Sequence, residues 1–187
     1  MIRKVGLLVI LFVVSCQKET SSNNPPGDNP PQYSFSANIN GEEFPNGKEI
    51  LANAILDYTG PSGGGLIIYL RDRNDDNSTD VISIVIGTDS TDGFQVGDEF
   101  YGFNRIGLDI PPYLVGFGQY NEVSASNNSI YEARSAEVDS PAFYLLLTDF
   151  DEPNKLVSGE FEFTAVSDSK NDTFFVKNGR FKDISFN

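Results

Sequence analysis

The chain has 187 residues, with 13 Lys and Arg against 27 Asp and Glu, one Cys, and neither His nor Trp. A net charge of −14 argues against a nucleic-acid partner, because binding a phosphate backbone depends on Lys and Arg. The lack of His excludes His-based triads, His-activated cysteines and His-containing zinc sites, and a lone Cys leaves no intrachain disulfide.

Arg3 and Lys4 precede an unbroken apolar run, Val5 to Val14. That run is too short to cross a hydrocarbon core, which takes roughly 20 apolar residues, but it suits the apolar part of a secretory signal. Val13-Val14-Ser15-Cys16 then resembles a bacterial lipobox, with the required small residue, Ser15, before the cysteine. The resemblance implies a signal peptide over residues 1–15, cleavage before Cys16, and lipid on the Cys16 thiol and on the new amino terminus. Several acyl chains on one residue anchor a protein far more firmly than one chain does. Residue 17 is Gln rather than the Asp that resembles an inner-membrane retention signal, and Gln17-Lys18-Glu19 resembles the surface-export tract of Bacteroidetes lipoproteins. The expected location is the outer membrane, at the cell surface, with its periplasmic face as the alternative.

Residues 17–32, "QKETSSNNPPGDNPPQ", contain no bulky apolar side chain and four Pro. Such a segment buries too little to offset its ordering entropy, and its Pro pairs favour an extended conformation, so residues 16–32 are expected to form a disordered tether. The globular part is expected over 33–187, long enough for one real core.

From Tyr33 the pattern is that of strands. "YSFSANI" alternates Tyr33, Phe35, Ala37 and Ile39 against Ser34, Ser36 and Asn38. Asn40-Gly41 suits a type I′ hairpin turn, with Glu42 to Phe44 returning and Pro45-Asn46-Gly47 turning again. Strands are expected at Ile50 to Tyr58, Leu66 to Arg71, Val81 to Ile86, Phe94 to Tyr101, Tyr113 to Tyr120, Ser129 to Ala133 and Ala142 to Thr148. Leu156 to Ala165 sets Phe161, Phe163 and Ala165 against Glu160, Glu162 and Thr164. Thr173 to Lys177 is expected to pair with Arg180 to Phe186 across an Asn178-Gly179 turn, with a bulge after Phe181, where the alternation slips. No helical period is sustained. The fold expected is all-β, a single antiparallel sandwich or barrel of about 8–10 strands, the pattern leaving those two open.

"FSANINGEEF", "LLLTDFDEPNKLVSGEFEFTA" and "VKNGRFKDISF" together resemble a family of Bacteroidetes lipoproteins. Its members share an Asn-Gly turn after the first strand, a Thr-x-x-Asp turn (Thr148 to Asp151), a Val-Ser-Gly-x-Phe-x-Phe strand (Val157 to Phe163) and an Asn-Gly-x-Phe hairpin (Asn178 to Phe181). Those motifs are turns and core positions, so the resemblance implies a fold and carries over no activity.

Four constellations bear on chemistry. Asp72, Asn74 and Asp76 take positions one, three and five of a calcium-loop spacing, but Asn77 stands where the loop needs Gly and Ser83 where it needs Glu. Asp89-Ser90-Thr91 is similar to a Bacteroidetes O-glycosylation acceptor. Phe100, Tyr101, Phe103, Tyr113, Phe117 and Tyr120, with Asn104, Arg105, Asp109 and Gln119, could form a carbohydrate platform, of which Tyr101, Tyr113, Phe117 and Tyr120 are the candidate ligand-binding rings; filling a core is the ordinary use of such rings. Paired acids such as Asp98 and Glu99, or Asp149 and Asp151, suit glycoside hydrolysis, but nothing selects one pair. The expectation is therefore a non-enzymatic binding or surface-structural module with no cofactor, held on the membrane by its lipid anchor, with a glycan or a surface protein as partner. A lipocalin-like carrier of a small apolar molecule is the alternative, and a carboxylate-based glycoside hydrolase the less favoured one.

Overall fold

The computed structural model describes residues 33–47, 49–57, 63–102, 113–126, 129–135, 142–167 and 172–187. The expected signal, Cys16 and the expected tether lie outside the described residues. Eleven strands follow in chain order: β1 (Ser34–Ile39), β2 (Glu42–Phe44), β3 (Glu49–Asp57), β4 (Gly64–Arg73), β5 (Thr79–Thr88), β6 (Glu99–Gly102), β7 (Leu114–Val123), β8 (Ser129–Arg134), β9 (Phe143–Asp151), β10 (Leu156–Ser167) and β11 (Asp172–Ser185).

All belong to one sheet, ordered β2-β1-β11-β10-β9-β6-β7-β5-β4-β3, with β8 pairing β7 and β10. The two sides of the sheet differ in regularity. The β3–β4, β4–β5 and β5–β7 ladders run without a register shift. The β1–β11, β11–β10 and β10–β9 ladders each contain bulges. Bulges increase local twist and bend the strand. The sheet curls until β3 meets the end of β11, where Ala54 and Phe186 form a parallel bridge.

The curl encloses the core. Alternation sends Leu66, Ile68 and Leu70 of β4 inward against Ile82, Ile84 and Ile86 of β5, all fully buried. Opposite them lie Leu145, Leu147, Val157, Phe161, Phe163, Val176, Phe181 and Ile184. Ring contacts run from Phe100 to Phe94 (5.8 Å), on to Phe150 (5.7 Å), and then to Phe186 (5.2 Å). Four glycines give the rings room. A Cβ at Gly118 would lie 2.3 Å from the Phe163 ring, at Gly179 2.5 Å from Phe161, and at Gly116 and Gly159 2.6 Å from Phe143 and Phe181.

The all-β class is as expected, and the inward sets of β1 and β10 are those the alternation names. Asn40 and Gly41 both have positive φ, as a type I′ turn requires. Among the described residues, four expectations need correction. The sheet is mixed, because β6 runs parallel to β7. Eleven strands exceed the expected number, and the strand expected over Phe94 to Tyr101 is only β6, since Gln95 to Asp98 form a turn closed by the Asp98 carboxylate on the Gln95 N–H. Asn178-Gly179 is not a hairpin turn: β11 runs straight through it, with Asn178 at φ 53 as a bulge. The same αL preference serves both structures, and here two neighbouring strands, β1 and β10, hold β11 extended on either side of it. The expected bulge after Phe181 is present at Asp183, φ 55, whose N–H bonds to Ser158 Oγ.

Candidate functional site

Strand alternation divides the sequence-named residues between two faces. Phe100 is fully buried, so Tyr101 points to the outer face. Phe117 also faces out, opposite Val85, because Gly116 and Gly118 face the core. Tyr113 immediately precedes β7, half-buried, its N–H bonded to Asp89 Oδ1 at 2.6 Å. Tyr120, three residues from Phe117, falls on the inner face: its ring stacks on Phe174 at 4.9 Å and its hydroxyl donates to Asp80. A single platform of Tyr101, Tyr113, Phe117 and Tyr120 is therefore not formed, because an odd spacing along a strand reverses the face. Phe103, Asn104, Arg105 and Asp109 lie outside the described residues.

The calcium expectation also needs correction. Asp72 is the last inward residue of β4 and is fully buried; its Oδ2 accepts the N–H groups of Asn46 (2.7 Å) and Gly47 (2.8 Å). It fastens the turn between β2 and β3. Asn74 turns its amide nitrogen to Ser78 and Asp80, and Asp76 accepts the Ser78 N–H. The Ser78 hydrogen bonds hold the Asp76 carboxyl below its ordinary value. These groups close the β4–β5 hairpin and do not converge on a cation. Among the described residues no cluster of three or more acidic or Cys side chains has metal-binding geometry. The paired acids are likewise engaged locally: Asp98 in its turn, Glu99 with the Tyr101 hydroxyl, and Asp151 with Asn154. The Asp89-Ser90-Thr91 segment forms an exposed turn after β5, with Ser90 Oγ accepting the Asp92 N–H.

The outer face of the bulged half carries the most developed concavity. Asn38 (β1) stands opposite Lys177 (β11), and Glu162 (β10), Tyr144 (β9) and Tyr101 (β6) stand opposite one another; the β10–β11 register shift falls between the two sets, and the Lys177–Glu162 ion pair joins them into one row. Lys177 Nζ lies 3.3 Å from Glu162, and Arg180 in the same region lies 3.2 Å from Glu160. Phe175, beside this row, is 51% exposed, and Asn40 clasps its backbone through both N–H and Oδ1. A groove of about 360 Å³ is lined by Tyr101, Tyr144, Glu162, Thr164 and Lys177. A second, about 690 Å³, adjoins it through Lys177 and contains Asn38, Phe175 and Asn178. A third, about 650 Å³, continues from Asn38 and Asn178 to Glu43 and Arg180. Shared residues make these one trough.

The Tyr101 and Tyr144 rings sit 5.6 Å apart. The Tyr144 phenol is pushed above its ordinary value of 10, first by partial loss of solvent, then by the charge and hydrogen bond of Glu99, with Glu160 and Glu162 adding to it. The trough thus joins the exposed Phe175 ring and the half-buried Tyr101–Tyr144 pair to amides, a hydroxyl and locally paired charges.

Sequence reasoning reached Tyr101 but missed Tyr144, Phe175, Lys177, Asn38 and Asn178. A signal existed: in Phe143-Tyr144 and Phe174-Phe175, two adjacent aromatic residues of one strand must face opposite ways, so one of each pair has to leave the core. Compared with protein-family models, with curated proteins and with solved structures, the chain gives no match.

Proposed function

We propose that this chain is a lipoprotein, anchored through lipid on Cys16 and displayed on the outer membrane, whose β-domain binds carbohydrate non-enzymatically along the outer trough. The observation that carries the reading is the run of three grooves joined by Lys177, Asn38 and Asn178, with the half-buried Tyr101–Tyr144 ring pair and the exposed Phe175 set among amides and paired charges. Sugar C–H groups pack on aromatic faces, and hydroxyls exchange hydrogen bonds with amides and carboxylates at their edges. The signal, the small residue before Cys16 and the polar tether support the anchor.

The test is a screen of the full-length chain in detergent micelles against arrayed plant, host and bacterial glycans. Binding is expected, and Tyr144→Ala is expected to weaken it about tenfold, the loss of one good ring contact. Folded protein that retains no glycan sinks the proposal.

A further inference from the structure

The shape and charge of the trough specify more than carbohydrate in general. Its main row crosses β1, β11, β10, β9 and β6 at right angles to the strands. From β6 to β11, the strands that carry the rings, three inter-strand steps of ~4.8 Å make about 14 Å. An extended chain of linked pyranose rings laid along this row would set successive units on successive strands. The rings are placed at matching intervals. Tyr144 and Tyr101 are on adjacent strands at 5.6 Å, and Phe175 is two strands away on β11, with Glu162 and Thr164 of β10 between them.

The charges limit the ligand further. Among the described residues, the two cations that line the trough are paired, Lys177 with Glu162 and Arg180 with Glu160, while Glu99 and Glu43 add negative charge. Among these described side chains a uronate or sulfated sugar would meet carboxylates, and its only cations are ones already shared with a glutamate. A neutral sugar meets no such penalty.

Resting on the carbohydrate reading above, we propose that the trough takes an uncharged, linear oligosaccharide of about four units, lying across the strands, with one end over Tyr101–Tyr144 and the other over Phe175. Each unit then occupies roughly one strand.

The experiment is calorimetric titration of the full-length chain in detergent with neutral gluco-, manno- and xylo-oligosaccharides of one to six units, and with oligogalacturonates of the same lengths. For at least one neutral series, affinity is expected to rise about tenfold between two and four units and then to level, with the acidic series at least tenfold weaker. Phe175→Ala is the diagnostic variant. Its side chain is half in solvent, so the melting temperature should hold, and it should abolish the gain from the third and fourth units while leaving disaccharide binding at Tyr101–Tyr144. A plateau at one or two units, equal affinity for the acidic series, or a Phe175→Ala length profile unchanged from the parent overturns the oligosaccharide proposal and leaves the carbohydrate reading standing. No binding by any saccharide overturns both.

Discussion

Single residues in this protein set turns and clearances more than they set chemistry. Asp151 accepts both the backbone N–H and the side-chain amide of Asn154, at 3.0 and 2.7 Å. Those bonds, the side-chain one first, hold its carboxyl below the ordinary 3.8. A lowered carboxyl adds stability above its unfolded value, and that contribution disappears as pH falls through the folded value. Asn154→Ala is therefore expected to move the Asp151 titration up toward 3.8, as read by NMR of the carboxyl carbon, and to leave stability at pH 7 less sensitive to acid below pH 4. A titration that does not move would break the assignment. Gly118 illustrates clearance. The Phe163 ring occupies the space its Cβ would need, and Phe163 is itself buried and fixed by Phe161 at 6.3 Å. Gly118→Ala should cost about 1–3 kcal/mol as an overpacking change, seen as a lower urea midpoint with an unchanged slope. An unchanged midpoint would mean that the ring yields freely.

At the scale of the element, β11 decides the architecture. It lies between β1 and β10, and its bulges at Asn178 and Asp183 keep inward residues inward although the alternation slips twice. Val176 and Phe181 are buried on either side of the first bulge, each with partners on both flanking strands. Their amides are expected to exchange with solvent at the same slow, global-unfolding rate in hydrogen-exchange measurements. A hairpin at Asn178-Gly179 would instead show fast exchange from Lys177 to Arg180 and unequal protection on the two arms. The bulge also has a functional consequence. It puts Lys177 and Asn178 side by side on the outer face, where both line the trough, whereas unbroken alternation would have sent one of them inward.

At the scale of the whole molecule, the proposed binding trough and the proposed anchor draw on different residues of the chain. The trough belongs to the compact unit Pro31–Asn187. The proposed anchor is one thiol, Cys16. Cys16→Ser should therefore release the protein from the membrane fraction and abolish incorporation of labelled palmitate, while the melting temperature and glycan binding remain those of the parent. Retention in the membrane fraction without acyl label would show that something other than lipid holds the chain.

The pattern of residues alone determined the all-β class, the span of most strands, the Asn40-Gly41 turn and the inward set of β10. These depend on period-two alternation and on local φ preferences, which are properties of short segments. The trough was only partly legible. Tyr101 is readable as an outer residue once Phe100 is taken as core, but the meeting of Tyr144, Lys177, Phe175 and Asn38 depends on strand order and register, which short segments do not encode. The same holds for Asn178-Gly179: its left-handed preference is local, but whether it turns the chain or bulges it depends on the strands on either side. Asp72 follows that rule as well. Its spacing to Asn74 and Asp76 is a fact of sequence, but alternation buried it, and two backbone N–H groups from a distant turn took its carboxylate. Only the tertiary structure decided these points, because pairing between strands far apart in sequence fixes which side chains meet.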